Sequence, residues 1–388
     1  MLDIEEALEK ELHKADILSK FKPGMNIAVA VGSRGICRID KIVKKIVAVL
    51  KENGTIPFIV SAMGSHGGGT VEGQREILRG YGITKENIGA QVVVSLDVVE
   101  LGNTSLGNAV YTDRTAYEAD MTILINRIKP HTDFDGKGDI ESGLCKMACI
   151  GLGNHIGCIS IHKAGVEHFP GVLKQAASLV FSKSNIGFGI AIVENAVHEP
   201  YLIEAVPIEN IFSRETELLQ LAKMKMGKIQ FDEIDILIIE EIGKNISGTG
   251  MDPNIVGRLG IKKDLVGIPA INCIAVLNLS EKTHGNATGI GLSDVTTQKV
   301  LQNIDFEITY ANCLVSGSKL GLACARLPIV MEDDNAAIAA ALKIWGGEDT
   351  ASCRIVRIKN TSELEHIYVS EALWPYVEGN PNLFEFEC

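Results

Sequence analysis

The sequence predicts an α/β protein of two domains. The first is a parallel, doubly wound N-terminal domain over residues 1–230; the second is a smaller αβ domain over 231–388, with the active site in the cleft. Three observations carry this. Short apolar runs alternate with helical patterns through the first half, as βαβ units require. Two glycine-rich loops each lie between a predicted strand and a predicted helix, the edge where open α/β sheets bind ligands. A fresh αβ pattern opens after Gly227, and 388 residues strain a single core.

Residues 4–20 read as a surface helix closed by Lys22, Pro23 and Gly24. The run NIAVAV (26–31) is a strand. After it, Asp40 is placed to cap a helix with apolar positions Ile42, Val43, Ile46, Val47 and Leu50, ending at Gly54. PFIVSA (57–62) is the next strand, and Thr70 can cap the helix that follows. QVVVS (91–95), MTILIN (121–126) and 184–194 are further strands, and a helix lies around Glu215–Met226. The second domain begins with IDILII (234–239) and NCIAVLNL (272–279). The last thirty or so residues are assignable to either domain.

Composition narrows the function classes. The net charge is −12, with no basic patch interleaved with aromatics, so nucleic acid and anionic membranes are not expected partners. No apolar stretch reaches about 18 residues, and the acidic start MLDIEEALEKELHK lacks the pattern of a secretory signal. Nine scattered cysteines read as mostly reduced, in a cytoplasmic protein.

The two loops carry candidate residues. In GSRGICR (32–38), Arg34 stands where a strand hands over to a helix, beside Gly32 and Ser33. Backbone N–H groups at such a turn favour anions, and the arginine adds a bidentate donor for the carboxylate or phosphate of a substrate or cofactor. A surface ion pair is the competing explanation. In GSHGGGT (64–70), His66 has only glycines and small polar residues around it, which suits an exposed catalytic group better than a core histidine.

The densest chemistry lies in LINRIKPHTDFDGKGDIESGLCKMACIGLGNHIGCISIH (124–162). It holds His131, His155 and His162, Lys146 between glycine-rich turns, and Cys145, Cys149 and Cys158. Imidazoles in this number can bind nickel, zinc, copper or iron. The cysteine spacing fits no zinc-ribbon or ferredoxin pattern, so the thiols read mainly as small core residues, with Cys145 singled out because it adjoins Lys146. His155, and likewise His168, suit local hydrogen bonding as well as ligation. In the second half, SEKTHGNATGIGLSD (280–294) offers His284 on a glycine-rich turn, equally readable as a polar hairpin.

Taken in order, these motifs resemble the nickel-dependent lactate racemase family over about residues 26–165. GSRGICR is similar to the family's D-x-T-R-x-x-P loop, GSHGGGT to G-x-H-R-x-x-T, and the 130–162 run to P-H…S-G-G-x-K…P-G…H. The resemblance implies that Arg34 anchors the substrate and that His66 and His131 are the acid/base pair. It makes Lys146 the attachment point of a nickel pincer nucleotide, a pyridinium thioamide or thiocarboxylate mononucleotide, and His162 the nickel ligand. The implied activity is racemisation or epimerisation of a 2-hydroxy acid by reversible hydride transfer to the cofactor, with cofactor-synthesis enzymes as partners and a homodimer as a candidate assembly.

The match has gaps. Gly32, Ser33 and Cys37 replace the aspartate, threonine and proline of the first motif, and Gly67 replaces the arginine of the second. Five extra residues separate His131 from Lys146. GTGMDPNIVGR (248–258) is similar to the family's G-G-x-x-x-D-x-N run, but the Gln and Lys that hold lactate are Gly257 and Gly260 here. Arg258 or Lys262 is placed to substitute as a substrate contact, which leaves the hydroxy acid open. Two rival functions remain. One is a zinc- or iron-dependent hydrolase or lyase using His66, His131 and His162, with Glu141 or Asp139 as base. The other is a non-catalytic protein that binds nickel or a nucleotide.

Overall fold

The computed structural model describes residues 2–33, 35–131, 138–165, 168–258, 269–315 and 319–383. The chain divides into two compact units, with the break between Met226 and Gly227.

The first unit is built on a six-stranded sheet. Its strands are β1 (Asn26–Val31), β2 (Ile56–Ser61), β3 (Gln91–Val93), β6 (Met121–Arg127), β7 (Ile186–Glu194) and β8 (Pro200–Pro207), in the order β3-β2-β1-β6-β7-β8. The first five in that order run parallel; β8 turns back antiparallel on β7. Between β3 and β6 the chain makes an antiparallel hairpin, β4 (Val98–Asn103) with β5 (Ala109–Asp113), which the apolar pattern does not announce.

Continuous apolar runs make these central strands. Ile27, Ala28, Val29 and Ala30 of β1 are all fully buried, which a strand achieves only when both sheet faces are covered. The Ile39–Glu52 helix covers one face through Ile42, Val43, Ile46 and Leu50. It starts one residue before Asp40, and its cap is Arg38 in a left-handed conformation (φ 59°), so Asp40 lies in the first turn instead of capping it. Thr70 does cap the Val71–Gly80 helix, accepting from the Gly73 N–H at 3.1 Å. The expected 4–20 helix is two pieces, Ile4–Leu12 and Ala15–Leu18, broken at His13–Lys14.

From β1 the chain moves outward through β2 to β3, then returns to place β6 on the other side of β1. The β1–β6 gap is therefore a topological switch point, where the loops leaving adjacent strand ends diverge and open a crevice. The loops carrying Ser33 and His131 leave the two strands that flank it.

The segment expected to be glycine-rich turns is largely helical. Leu144–Lys146 is a short helical turn, Met147–Gly151 is π-helical, and Asn154–His162 is an α-helix. The bend across this pair is 110°. Among the described residues no single helix is long and apolar enough to cross a membrane.

The second unit holds a sheet of order β12-β11-β10-β9-β13-β14, from β9 (Glu233–Ile239), β10 (Ala270–Val276), β11 (Val295–Thr297), β12 (Ile329–Met331), β13 (Ile355–Asn360) and β14 (Glu363–Val369). It is parallel except for the β13–β14 hairpin. The last strands of the chain thus complete this sheet. Ile236, Ile238, Cys273, Ala275 and Val295 form its core with Ala337 and Ala341 of the Asp334–Trp345 helix.

Candidate active site

Three loops at the carboxyl edge of β1, β2 and β6 bring the singled-out residues of the first unit together. After β1, the Ser33 carbonyl accepts the Tyr81 hydroxyl at 2.5 Å, which pins the loop. The Ser33 hydroxyl is in hydrogen-bond contact with His66 Nδ1. Arg34 and Lys262 lie outside the described residues. A Cβ at Gly32 would meet only ordinary contacts, from Met147 Cε and the Ala62 carbonyl, so crowding does not force glycine there.

The His66 loop is held by its glycines. Gly67 and Gly69 both have φ of 65°, a region L-residues avoid. A Cβ at Gly67 would lie 2.6 Å from the Gln74 backbone nitrogen, and one at Gly69 would lie 2.6 Å from His155 Nδ1. His155 therefore lies close against this loop. Gln74, fully buried, donates to the Gly64 carbonyl at 3.2 Å. His66 itself is exposed.

After β6 the chain closes a small bridge: Lys129 N–H donates to the Ser142 carbonyl at 2.9 Å, and Ser142 N–H to the Lys129 carbonyl at 3.2 Å. This bridge sets the chain just before His131 alongside the chain just before Lys146. His131 and Lys146 consequently meet, with Lys146 Nζ in hydrogen-bond contact with His131 Nε2. The His131 backbone N–H donates to Glu141 Oε2 at 2.6 Å, and Lys223 Nζ donates to Glu141 Oε1 at 2.8 Å.

His162 ends its helix with Nδ1 2.7 Å from the Cys158 carbonyl and its ring 4.9 Å from that of Phe169. A carbonyl only accepts, so Nδ1 carries the proton and Nε2 the lone pair of the neutral ring. Metal-binding histidines are oriented in this way. Cys158 Sγ lies 3.5 Å from His162 Nδ1 and 3.5 Å from Ser65 Oγ, joining this helix to the His66 loop. Burial alone would lower the His162 pKa, but the Cys158 thiol and carbonyl outweigh it and raise it; Lys146 opposes them by charge repulsion. Burial would raise the Cys158 thiol, and His162 reverses that to a lowered value.

The other two thiols of the segment are inert by environment. Burial pushes Cys149 up to about 12; burial, then Glu215, holds Cys145 well above the ordinary thiol value. Glu215 is 1% exposed in the Ile211–Lys225 helix, and its Oε2 accepts the Cys145 N–H at 2.9 Å. Burial pushes its carboxyl up to about 7, against the pull of the Cys145 and Leu144 N–H groups.

Sequence reasoning missed Glu215, Lys223 and Tyr81. A signal existed for the first. Glu215 shares the helical stripe of Ile211, Leu218, Leu219 and Ala222, all buried, and a carboxylate on such a stripe marks a specific partner.

One expectation changes. Among the described residues no three His, Cys, Asp or Glu side chains are grouped to hold a metal, so His66, His131 and His162 do not form a three-imidazole centre. The reason is local: each ring is turned to a partner of its own, Ser33, Lys146 and the Cys158 carbonyl respectively. Arg258, in the second unit, is engaged with Asp294 Oδ2 at 2.5 Å and the carbonyls of Leu292, Ile271 and Asn272. That geometry braces the strand ends there. His284 sits exposed in a left-handed turn (φ 51°) of the second unit.

The first unit is thus a doubly wound α/β domain with a lysine–histidine site at its switch point. Residues 2–167 match the model of the lactate racemase N-terminal domain. Among solved structures, the lactate racemase apoprotein from Thermoanaerobacterium thermosaccharolyticum aligns with a TM-score of 0.55 at 14% identity, over 93% of this chain and 92% of that one. A Thermotoga maritima protein from a structural-genomics consortium aligns with a TM-score of 0.48 at 15% identity, over 71% of this chain and 69% of that one. At such identities the likeness concerns the fold. No curated protein matches the chain.

Proposed function

We propose that this protein is a racemase or epimerase of a 2-hydroxy acid that works with a nickel pincer nucleotide. The observation that supports the reading is three contacts, Ser33–His66, His131–Lys146 and His162–Cys158, all inside the segment that matches the family model. The donor set fits the group. One imidazole with its Nδ1 proton fixed suits a metal whose other donors arrive with a cofactor, and a half-buried lysine amine suits its attachment. When bound, the cofactor would supply a pyridinium ring that takes a hydride from the substrate carbon and returns it.

The chain's own residues do the rest. Lys146 would hold the nucleotide and His162 the nickel. His66 and His131 would each take the hydroxyl proton of one enantiomer and return it for the other, which requires bases near neutral pKa. The Ser33 hydroxyl can donate or accept, so it can keep contact with His66 in both protonation states. Arg34 would hold the substrate carboxylate.

The test is racemisation of single-enantiomer 2-hydroxy acids in D2O by protein co-produced with the cofactor-synthesis enzymes. Racemised product that retains hydrogen at the substrate carbon supports the reading. Deuterium at that carbon, or no turnover of any hydroxy acid by the loaded protein, defeats it.

A further inference from the structure

We propose that half-buried Lys223 and buried Glu141 form a positioning pair that fixes His131 against Lys146. The inference rests on the functional reading only in giving His131 an acid/base role; its structural half is testable without it. The Glu141 side chain is 0% exposed. Its two oxygens take donors from two different parts of the chain: the His131 backbone N–H at 2.6 Å and Lys223 Nζ at 2.8 Å, the latter from 82 residues away. An ionised carboxylate is kept out of water only where charge and hydrogen bonds replace the lost solvation, and here each oxygen has one such replacement.

The placement is specific. Glu141 stands beside the Lys129–Ser142 bridge, opposite His131, so its carboxylate ties the histidine's backbone to the strand of chain that leads to Lys146. The Ile211–Lys225 helix touches this segment twice: Lys223 holds Glu141, and Glu215, about two turns earlier, holds the Cys145 N–H. The helix thereby braces both sides of the His131–Lys146 contact. With both oxygens engaged, Glu141 acts through His131 and is a positioning residue, in place of the metal-water base the sequence allowed.

Two electroneutral double variants isolate the His131 bond. Glu141→Gln with Lys223→Met keeps an acceptor for the His131 N–H; Glu141→Leu with Lys223→Met removes it and leaves no buried charge. Hydrogen exchange of the His131 amide in the cofactor-free protein is expected to stay slow in the glutamine pair and to quicken roughly tenfold or more in the leucine pair. In the loaded protein, kcat is expected to fall about 10²-fold in the leucine pair with little change in KM, and to recover most of that loss in the glutamine pair. Equal exchange in the two pairs, or an equal loss of kcat, overturns the proposal. Should the leucine pair fail to fold, Lys223→Met alone is expected to quicken the same amide and Lys223→Arg to restore it; no difference between those two overturns it equally. If the exchange pattern holds while the loaded wild type racemises nothing, the functional reading fails and the positioning role stands.

Discussion

Lys146 Nζ meets His131 Nε2, fifteen positions apart in sequence and joined through the Lys129–Ser142 bridge. The candidate anchor of a cofactor and a candidate proton carrier are therefore held as one unit, at the end of the strand that flanks the switch point. Whatever occupies this site meets both groups together.

The partner of the other histidine gives the first prediction. Ser33→Ala removes the hydroxyl that orients His66. It is expected to lower kcat about tenfold, a fraction of what general acid–base catalysis contributes, with KM little changed. Steady-state kinetics of the loaded protein check this, and an unchanged kcat would separate Ser33 from His66 function.

The glycines of the His66 loop differ in kind. Gly68 has open space around an added Cβ but a φ of 66°, so Gly68→Ala is expected to cost only the left-handed strain, about 1–2 kcal/mol. Gly67→Ala adds overlap with the Gln74 backbone nitrogen at 2.6 Å, and is expected to cost about 3 kcal/mol or more. Denaturant unfolding of both variants ranks them.

Glu215 predicts a pH dependence of stability. Its carboxyl is raised from 4.5 to about 7 by burial. The folded state therefore binds its proton more tightly than the unfolded state does. That contribution is fully present below about pH 4.5 and is lost as pH rises through about 7. The amount lost is on the order of 3 kcal/mol. Unfolding curves of wild type and Glu215→Gln are expected to diverge across this window, with the glutamine variant gaining relative stability toward pH 8. Parallel curves would show that the carboxyl titrates normally.

Arg258 separates brace from substrate contact. Its bonds to Asp294 and three carbonyls predict that Arg258→Ala destabilises the second unit, by about 1–3 kcal/mol, and leaves KM for the hydroxy acid unchanged. A raised KM at unchanged thermal stability would restore the substrate role.

The sequence made parts of this legible for identifiable reasons. NIAVAV and MTILIN are apolar on both faces, and only strands covered on both sides read so; their loops followed from them. The β4–β5 hairpin escaped because Gly102, Gly107 and interspersed polar residues break its alternation. The Lys223–Glu141 pair spans 82 residues, beyond any local pattern. The Met147–Gly151 turn read as part of a glycine-rich stretch because Gly143, Gly151 and Gly153 in and around it hid a π-helical geometry. The bond of Arg258 to Asp294, 36 positions on, likewise lies beyond any local pattern.

The central claim is that Lys146 anchors a nickel-bearing nucleotide which His162 completes. The most direct test is intact mass and nickel content of the protein co-produced with the cofactor-synthesis enzymes, for wild type and for Lys146→Arg. The account predicts an added nucleotide mass on wild type, mapped to Lys146, with about one nickel per chain as the single-ligand site implies, and neither covalent mass nor stoichiometric nickel on the arginine variant. A bare wild-type chain, or an adduct that survives the loss of Lys146, would contradict it.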